Sequence, residues 1–220
     1  MSLLVRATVA LCLTTALAGA ATTLTVVKPG SSVSSSILEA MQQESERLVA
    51  PADYRFSWRT STGAGDAFEQ LVVLKLRGTC ALRPMAADMR HHDDAASLGS
   101  TAVSDGRVLP FVQVDCDRVW KAVAPLLAPM PERARETMFG RALGRVLAHE
   151  LYHVLAQTRG HAGEGVSKPC FRAADLLNAR FQFDKASLAR MRPAVASPVL
   201  LASAEAADGD AEGSADDGGR

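Results

Sequence analysis

Between Pro131 and Gly160 the chain can do little except form one long helix, and that helix carries the most demanding chemistry in the sequence. Phe139, Leu143, Val146, Leu147, Leu151 and Val154 recur at helical spacing. The expected helix runs from about Glu132 to Gln157, with Gly160 as a stop just beyond its last turn. Within it stand His149, Glu150, Leu151, Tyr152 and His153, an HExxH motif, and His161 follows eight residues later. Residues four apart lie one above the other on a helix, so both imidazoles can reach a single metal ion. A third histidine would complete three protein ligands and leave a position for water, which is the catalytic rather than the structural zinc arrangement. Glu150 is then the expected general base. Glu164, Asp175 and Asp184 compete with His161 as the third ligand.

Two glycines interrupt this helix, Gly140 and Gly144. They cost helix propensity, so close packing against a neighbouring element is expected there. Tyr152 lies beside the ligands in sequence, but helix geometry turns it elsewhere, toward packing against the sheet or a C-terminal lobe. His91, His92, Asp93 and Asp94 form a second cluster of metal-binding types. Adjacent positions in a loop converge poorly on one ion, and a solvated loop is the expectation.

The two ends read as additions to the fold. Arg6, the apolar run Ala7–Leu17 and the small residues Ala18, Gly19 and Ala20 make residues 1–20 a secretory leader. The run is too short to span a membrane. Export places the protein in a secreted or periplasmic compartment. Residues 193–220 are rich in Ala, Ser, Gly and Asp and read as a disordered acidic tail. Residues 21–192 remain, a reasonable size for one domain. With 24 basic and 24 acidic residues and no basic stripe carrying aromatics, a nucleic-acid surface is not expected. Outside the leader stand Cys80, Cys116 and Cys170, enough for one intramolecular bridge and one remaining thiol. Nothing in the pattern sets an oligomeric state.

Ahead of the long helix the chain reads as a strand at Thr22–Val27, then an amphipathic helix at Val33–Val49. Strands follow at Tyr54–Trp58 and Leu71–Leu76. Last comes a hairpin, Thr101–Ser104 and Val108–Val114, turning at Asp105-Gly106. Pro125, Pro129 and Pro131 punctuate the approach to the long helix.

This order, with HExxH on the last helix, resembles the metzincin-type zincin catalytic domain, over roughly residues 22–165. The resemblance implies an α+β fold. It would contain a mixed sheet of about five strands, a backing helix, a long active-site helix and a small C-terminal lobe. It implies a secreted zinc metalloendopeptidase with Glu150 as base and His149, His153 and His161 on one zinc ion. The substrate would be a peptide bound in extended form along the edge strand Thr101–Ser104. It also implies that the strands ending at Gly78 and Asp115 lie side by side and parallel, which would let Cys80 and Cys116 bridge and leave Cys170 over. The family's pattern is HExxHxxGxxH. Here Ala156 and Arg159 stand at the glycine and third-histidine positions, and His161 comes two residues later. The family's methionine turn has one counterpart by position, Met191, whose polar neighbours suggest a surface or ordinary packing role. The alternative function is a non-catalytic zinc-binding or protein-interaction module on the same scaffold.

Overall fold

The computed structural model describes residues 21–28, 30, 33–84, 97–193 and 199–200. The leader and the His91–Asp94 cluster lie outside these residues, as does most of the tail. The β-branched and apolar segments form strands as their patterns require: β1 Thr22–Val27, β2 Tyr54–Arg59, β3 Ala67–Phe68, β4 Gln70–Arg77, β5 Gly99–Ser104 and β6 Arg107–Asp115. Five of them make one sheet in the order β2-β1-β4-β6-β5. All neighbours in it are parallel except the last pair, β5 against β6. The architecture is α+β, with a mostly parallel five-stranded sheet. Asp105 (φ 50°) and Gly106 (φ 75°) make the hairpin turn between β5 and β6, the two positive φ angles a two-residue turn demands.

The sheet places the cysteines side by side. In β4 and β6, Val73 pairs with Phe111 and Arg77 with Asp115, so the parallel strands end together. Cys80 and Cys116 follow directly and are bridged, their Cα atoms 5.0 Å apart. Cys170 is free and exposed. Gly78 turns at φ +73°, where a Cβ would run into the Asp117 carboxylate. That carboxylate accepts the Thr79 N–H and pairs with Arg83.

One face of the sheet is covered by helices α1 (Ser35–Val49), α2 (Cys116–Leu127) and α3 (Glu132–Leu155). Ser34 caps α1 by accepting the Ile37 N–H, two residues later than the expected start. Helix α2 was not expected from the sequence, because Pro125 reads as a break. Pro125 sits in the last turn, where it forfeits only one backbone donor. Val119, Trp120, Val123, Ala124 and Leu127 nonetheless hold a buried helical face, with Trp120 edge-on to Phe139 of α3.

Helix α1 lies close against α3. A Cβ on Gly140 would lie 2.4 Å from the Ile37 carbonyl oxygen, and one on Gly144 2.5 Å from that of Met41. Both are distances that real Cβ atoms do not tolerate, so the two glycines act as the expected groove. Around the contact, the fully buried Arg145 donates to Glu44 at 2.7 Å and to the carbonyl oxygens of Asp175 and Leu176 at 3.1 and 2.7 Å. Arg47 and Arg141 also pair with Glu44. Burial pushes the Glu44 carboxyl up. Hydrogen bonds and charge from Arg47 and Arg145 outweigh it and hold the group down at about 2.

After α3 come two short helices, α4 Ala173–Leu177 and α5 Lys185–Met191. Met191 is fully buried, so the surface placement suggested by its polar neighbours is wrong and the packing role is right. Tyr152 is buried too, with its ring 6.1 Å from that of Phe183. Within the stretch read as a tail, Val199–Leu200 form a strand, β7, that pairs antiparallel with β3. Val199-Leu200-Leu201 is that stretch's one aliphatic run. No helix among the described residues is long and apolar enough to cross a membrane.

Two outcomes follow. Gly144→Ala should lower the free energy of unfolding by about 1–3 kcal/mol in urea titration, because overpacking outweighs the better helix propensity of alanine. Glu44→Gln should cost about 3–5 kcal/mol at neutral pH by leaving Arg145 buried without its counter-charge. The folded Glu44 value lies below the ordinary one, so its contribution is complete above about pH 4.5 and is lost as pH falls toward 2. The gap between wild type and Glu44→Gln should therefore close over that interval.

Candidate metal centre

From Ala142 to Val154, α3 is buried on every side. Besides Tyr152, whose buried hydroxyl has no hydrogen-bond partner among the described residues, four polar residues in that stretch must find partners or a ligand. Arg145 has its ion pair; the other three are His149, Glu150 and His153. The two histidines lie one turn apart, as the motif requires, with their rings edge-on at 4.9 Å. His149 places Nδ1 2.7 Å from the Val166 carbonyl oxygen, and His153 places Nδ1 2.8 Å from that of Thr158. A carbonyl can only accept, so each Nδ1 carries the hydrogen and each Nε2 presents a lone pair. Those two Nε2 atoms face one another at 3.2 Å. Two lone pairs at that distance repel unless something positive lies between them. Burial lowers the basicity of both rings, pushing His149 down to about 4. A proton shared between them at neutral pH is therefore disfavoured.

His161 is returned to the same place by the turn after the helix. The helix ends at Leu155, and the left-handed residue that ends it is Gln157 (φ 46°), three residues ahead of the glycine expected to do so. The Gln157 amide side chain donates to the Val154 carbonyl at 2.8 Å and steadies that turn. The Thr158 N–H bonds to the His153 carbonyl, so one short loop supplies a partner for His153 and the route to His161. The loop closes through Ala162 N–H to the Ser167 carbonyl and Val166 N–H to the Gln182 carbonyl. Gly165 makes this possible twice over: its φ is +68°, and a Cβ there would lie 2.4 Å from the Gln182 oxygen. The stretch is anchored further by Ser167, which is hydrogen-bonded to Asp184 and Ser187.

His149, His153 and His161 each offer a ligand atom, and all three atoms lie within 4.8 Å of one another. The three residues are thus close enough to bind a metal ion. His161 is the exposed member, the other two being buried. Phe171 packs edge-on to His149 at 5.1 Å and shields it. Comparison of the chain with known families, curated proteins and solved structures finds no match.

The acidic competitors do not join the cluster. Asp175 is paired with Lys168 at 2.6 Å and accepts the Arg172 N–H. Asp184 caps α5 through Ser187. Glu164 is exposed and stands outside the group of convergent ligand atoms.

Glu150 points to the other wall of the same cleft. The Thr101 hydroxyl on β5 lies 2.8 Å from Glu150 Oε2 and 3.1 Å from the Glu150 main-chain oxygen. Burial raises the carboxyl to about 7, against the lowering effect of the Thr101 hydrogen bond. A cleft of about 310 Å³ joins these groups, lined by Gly99, Thr101 and Val103 of β5, by the three histidines and Glu150, and by Arg159 at its rim. The edge strand therefore does border the histidines.

Sequence reasoning missed the Val166 and Thr158 carbonyls and the Thr101 hydroxyl. Backbone carbonyls carry no residue signature. A threonine in a strand is ordinary until the register shows what it faces. Equilibrium competition with a chromophoric chelator should find one Zn²⁺ site per chain. His161→Ala should weaken it roughly a hundredfold or more, whereas Glu164→Ala should leave it unchanged.

Proposed function

We propose that the protein is a zinc-dependent endopeptidase that acts outside the cytoplasm. The observation that carries this reading is the pair of imidazole lone pairs 3.2 Å apart, with a third imidazole beside them. Two nitrogens bound tetrahedrally to one zinc at about 2.0–2.1 Å would sit roughly 3.3 Å apart, so the donor set fits the ion with little adjustment. Soft and hard alternatives fit less well, since the cluster offers neither thiolates nor carboxylates. Bound zinc would supply Lewis acidity, acidifying a water and polarising a scissile carbonyl.

The chain's own residues divide the remaining work. His149, His153 and His161 would hold the ion, their orientation set by the Val166 and Thr158 carbonyls on the first two. Glu150, buried and adjacent, would take the water proton and return it to the departing amine. Among the described residues β5 has a hydrogen-bonded neighbour on one side only, β6. Its other edge would take an extended peptide, pairing by backbone hydrogen bonds with its scissile bond carried past the histidines. The Cys80–Cys116 bridge supports an oxidising compartment.

The test is zinc content together with cleavage of denatured protein substrates, with and without a chelator. Wild type should cleave only when loaded. Glu150→Gln should keep its zinc and lose roughly a hundredfold or more in kcat. Undiminished cleavage by Glu150→Gln would remove the general-base assignment. Stoichiometric zinc without cleavage by wild type would point instead to a non-catalytic zinc-binding module.

A further inference from the structure

Thr101 and Gly99 both meet Glu150 from β5, and they meet different atoms of its carboxylate. Thr101 Oγ1 is 2.8 Å from Oε2. A Cβ built on Gly99 would stand 2.8 Å from Oε1, too near for any side chain to be present. The carboxylate is therefore divided: Oε2 is occupied by a hydroxyl donor, and Oε1 packs against Gly99, where a Cβ would also meet the Gln113 carbonyl oxygen and Val146 at 2.9 Å. Both residues line the cleft with the histidines. The Thr101 hydroxyl has a second acceptor in reach, the Glu150 main-chain oxygen at 3.1 Å. A hydroxyl has a single hydrogen, so it donates to one of these acceptors at a time.

We propose that Thr101 is the positioning residue of Glu150, holding Oε2 so that Oε1 is the oxygen that takes up and returns the proton. This rests on the peptidase reading, in which Glu150 is the base. While the carboxylate is ionised, Thr101 donates to Oε2. Once a water proton has bonded to Oε1, charge leaves Oε2, and the hydroxyl hydrogen turns to the main-chain oxygen. When Oε1 delivers its proton to the departing amine, the hydroxyl returns to Oε2. No proton is gained or lost by Thr101 in the cycle, and the carboxylate keeps one rotamer throughout. Gly99 is the complementary requirement, since any side chain there would displace the working oxygen.

The experiment uses full-length zinc-loaded protein in three forms: wild type, Thr101→Val and Thr101→Ser. Valine keeps the shape and removes the donor; serine restores the donor. Thr101→Val should lower kcat about ten- to a hundredfold, the range for losing a hydrogen bond to a charged group. KM, zinc affinity and Tm should stay near wild type. Thr101→Ser should recover most of kcat. Crystal structures of the same forms give a readout that needs no activity: Glu150 should hold one rotamer in wild type and Thr101→Ser and spread over more than one in Thr101→Val. An unchanged kcat in Thr101→Val would overturn the proposal, as would a single unchanged rotamer. A parallel fall in zinc affinity or Tm would also overturn it, by making Thr101 a fold element. If wild type itself cleaves nothing, the peptidase reading fails, and the rotamers alone decide whether Thr101 positions Glu150.

Discussion

Everything in the candidate centre depends on how closely α1 lies against α3. Gly140 and Gly144 remove the side chains that would hold the two helices apart, and the Ile37 and Met41 carbonyls occupy the space. With the backbones so near, Glu44 reaches Arg145 directly, and Arg145 in turn holds the carbonyls at the end of α4. A buried charge pair is costly to desolvate, and its stabilising effect rests on its hydrogen bonds, which Arg145 makes through Nε and Nη1 but not Nη2. Here it joins three elements on the flank of α3 one turn before His149. The histidines then inherit a helix that has little freedom to shift or rotate.

The same enclosure makes the site chemically tense. Polar groups buried along a helix are normally satisfied by neighbours. The Nδ1 atoms of His149 and His153 are, through two loop carbonyls, and this is what leaves two Nε2 lone pairs opposed. Satisfying one nitrogen of each ring creates the demand at the other. The loop after α3 does both jobs within eleven residues. It offers Thr158 and Val166 as acceptors and brings His161 back as a third donor atom. The eight-residue step from His153 to His161 still converges on the cluster, because Gln157 turns the chain immediately at the helix end.

How much of this was legible beforehand follows from what kind of signal each part leaves. Periodicity revealed α3, and spacing revealed the ligand pair, because both depend on residue type at fixed separations. Gly140 and Gly144 were legible as a contact, though not with what. The Asp105-Gly106 turn was legible because few residue pairs adopt two positive φ angles. Helix α2 was obscured by Pro125, which breaks helices in the interior and is tolerated near an end; the spacing of Val119, Trp120, Val123 and Leu127 was the better guide. The end of α3 was legible to within two residues, about Gln157 against Leu155, but its stop was read at Gly160 because glycine is the common left-handed residue and Gln157 a rare one. Met191 was left between a surface and a packing role because its sequence neighbours are charged, and only the helix, which buries one side, decides for packing. Thr101 was legible only as the start of an edge strand, since its meeting with Glu150 depends on register.

Register is also what connects the sheet to the chemistry. Thr101 pairs with Val112, and Gly99 with Val114. Val112 and Val114 are buried on the helix-covered face. Residues directly opposite in a sheet share a face, so Gly99 and Thr101 look toward α3 while Ser100 between them looks away. A slip of one residue in β5 would present Ser100 to Glu150 and turn both away. The irregularity in pairing between Thr101 and Val103 lies just past these contacts. Regular pairing thus governs the part of β5 that touches Glu150, and the departure falls where the strand goes on toward the tip of the hairpin.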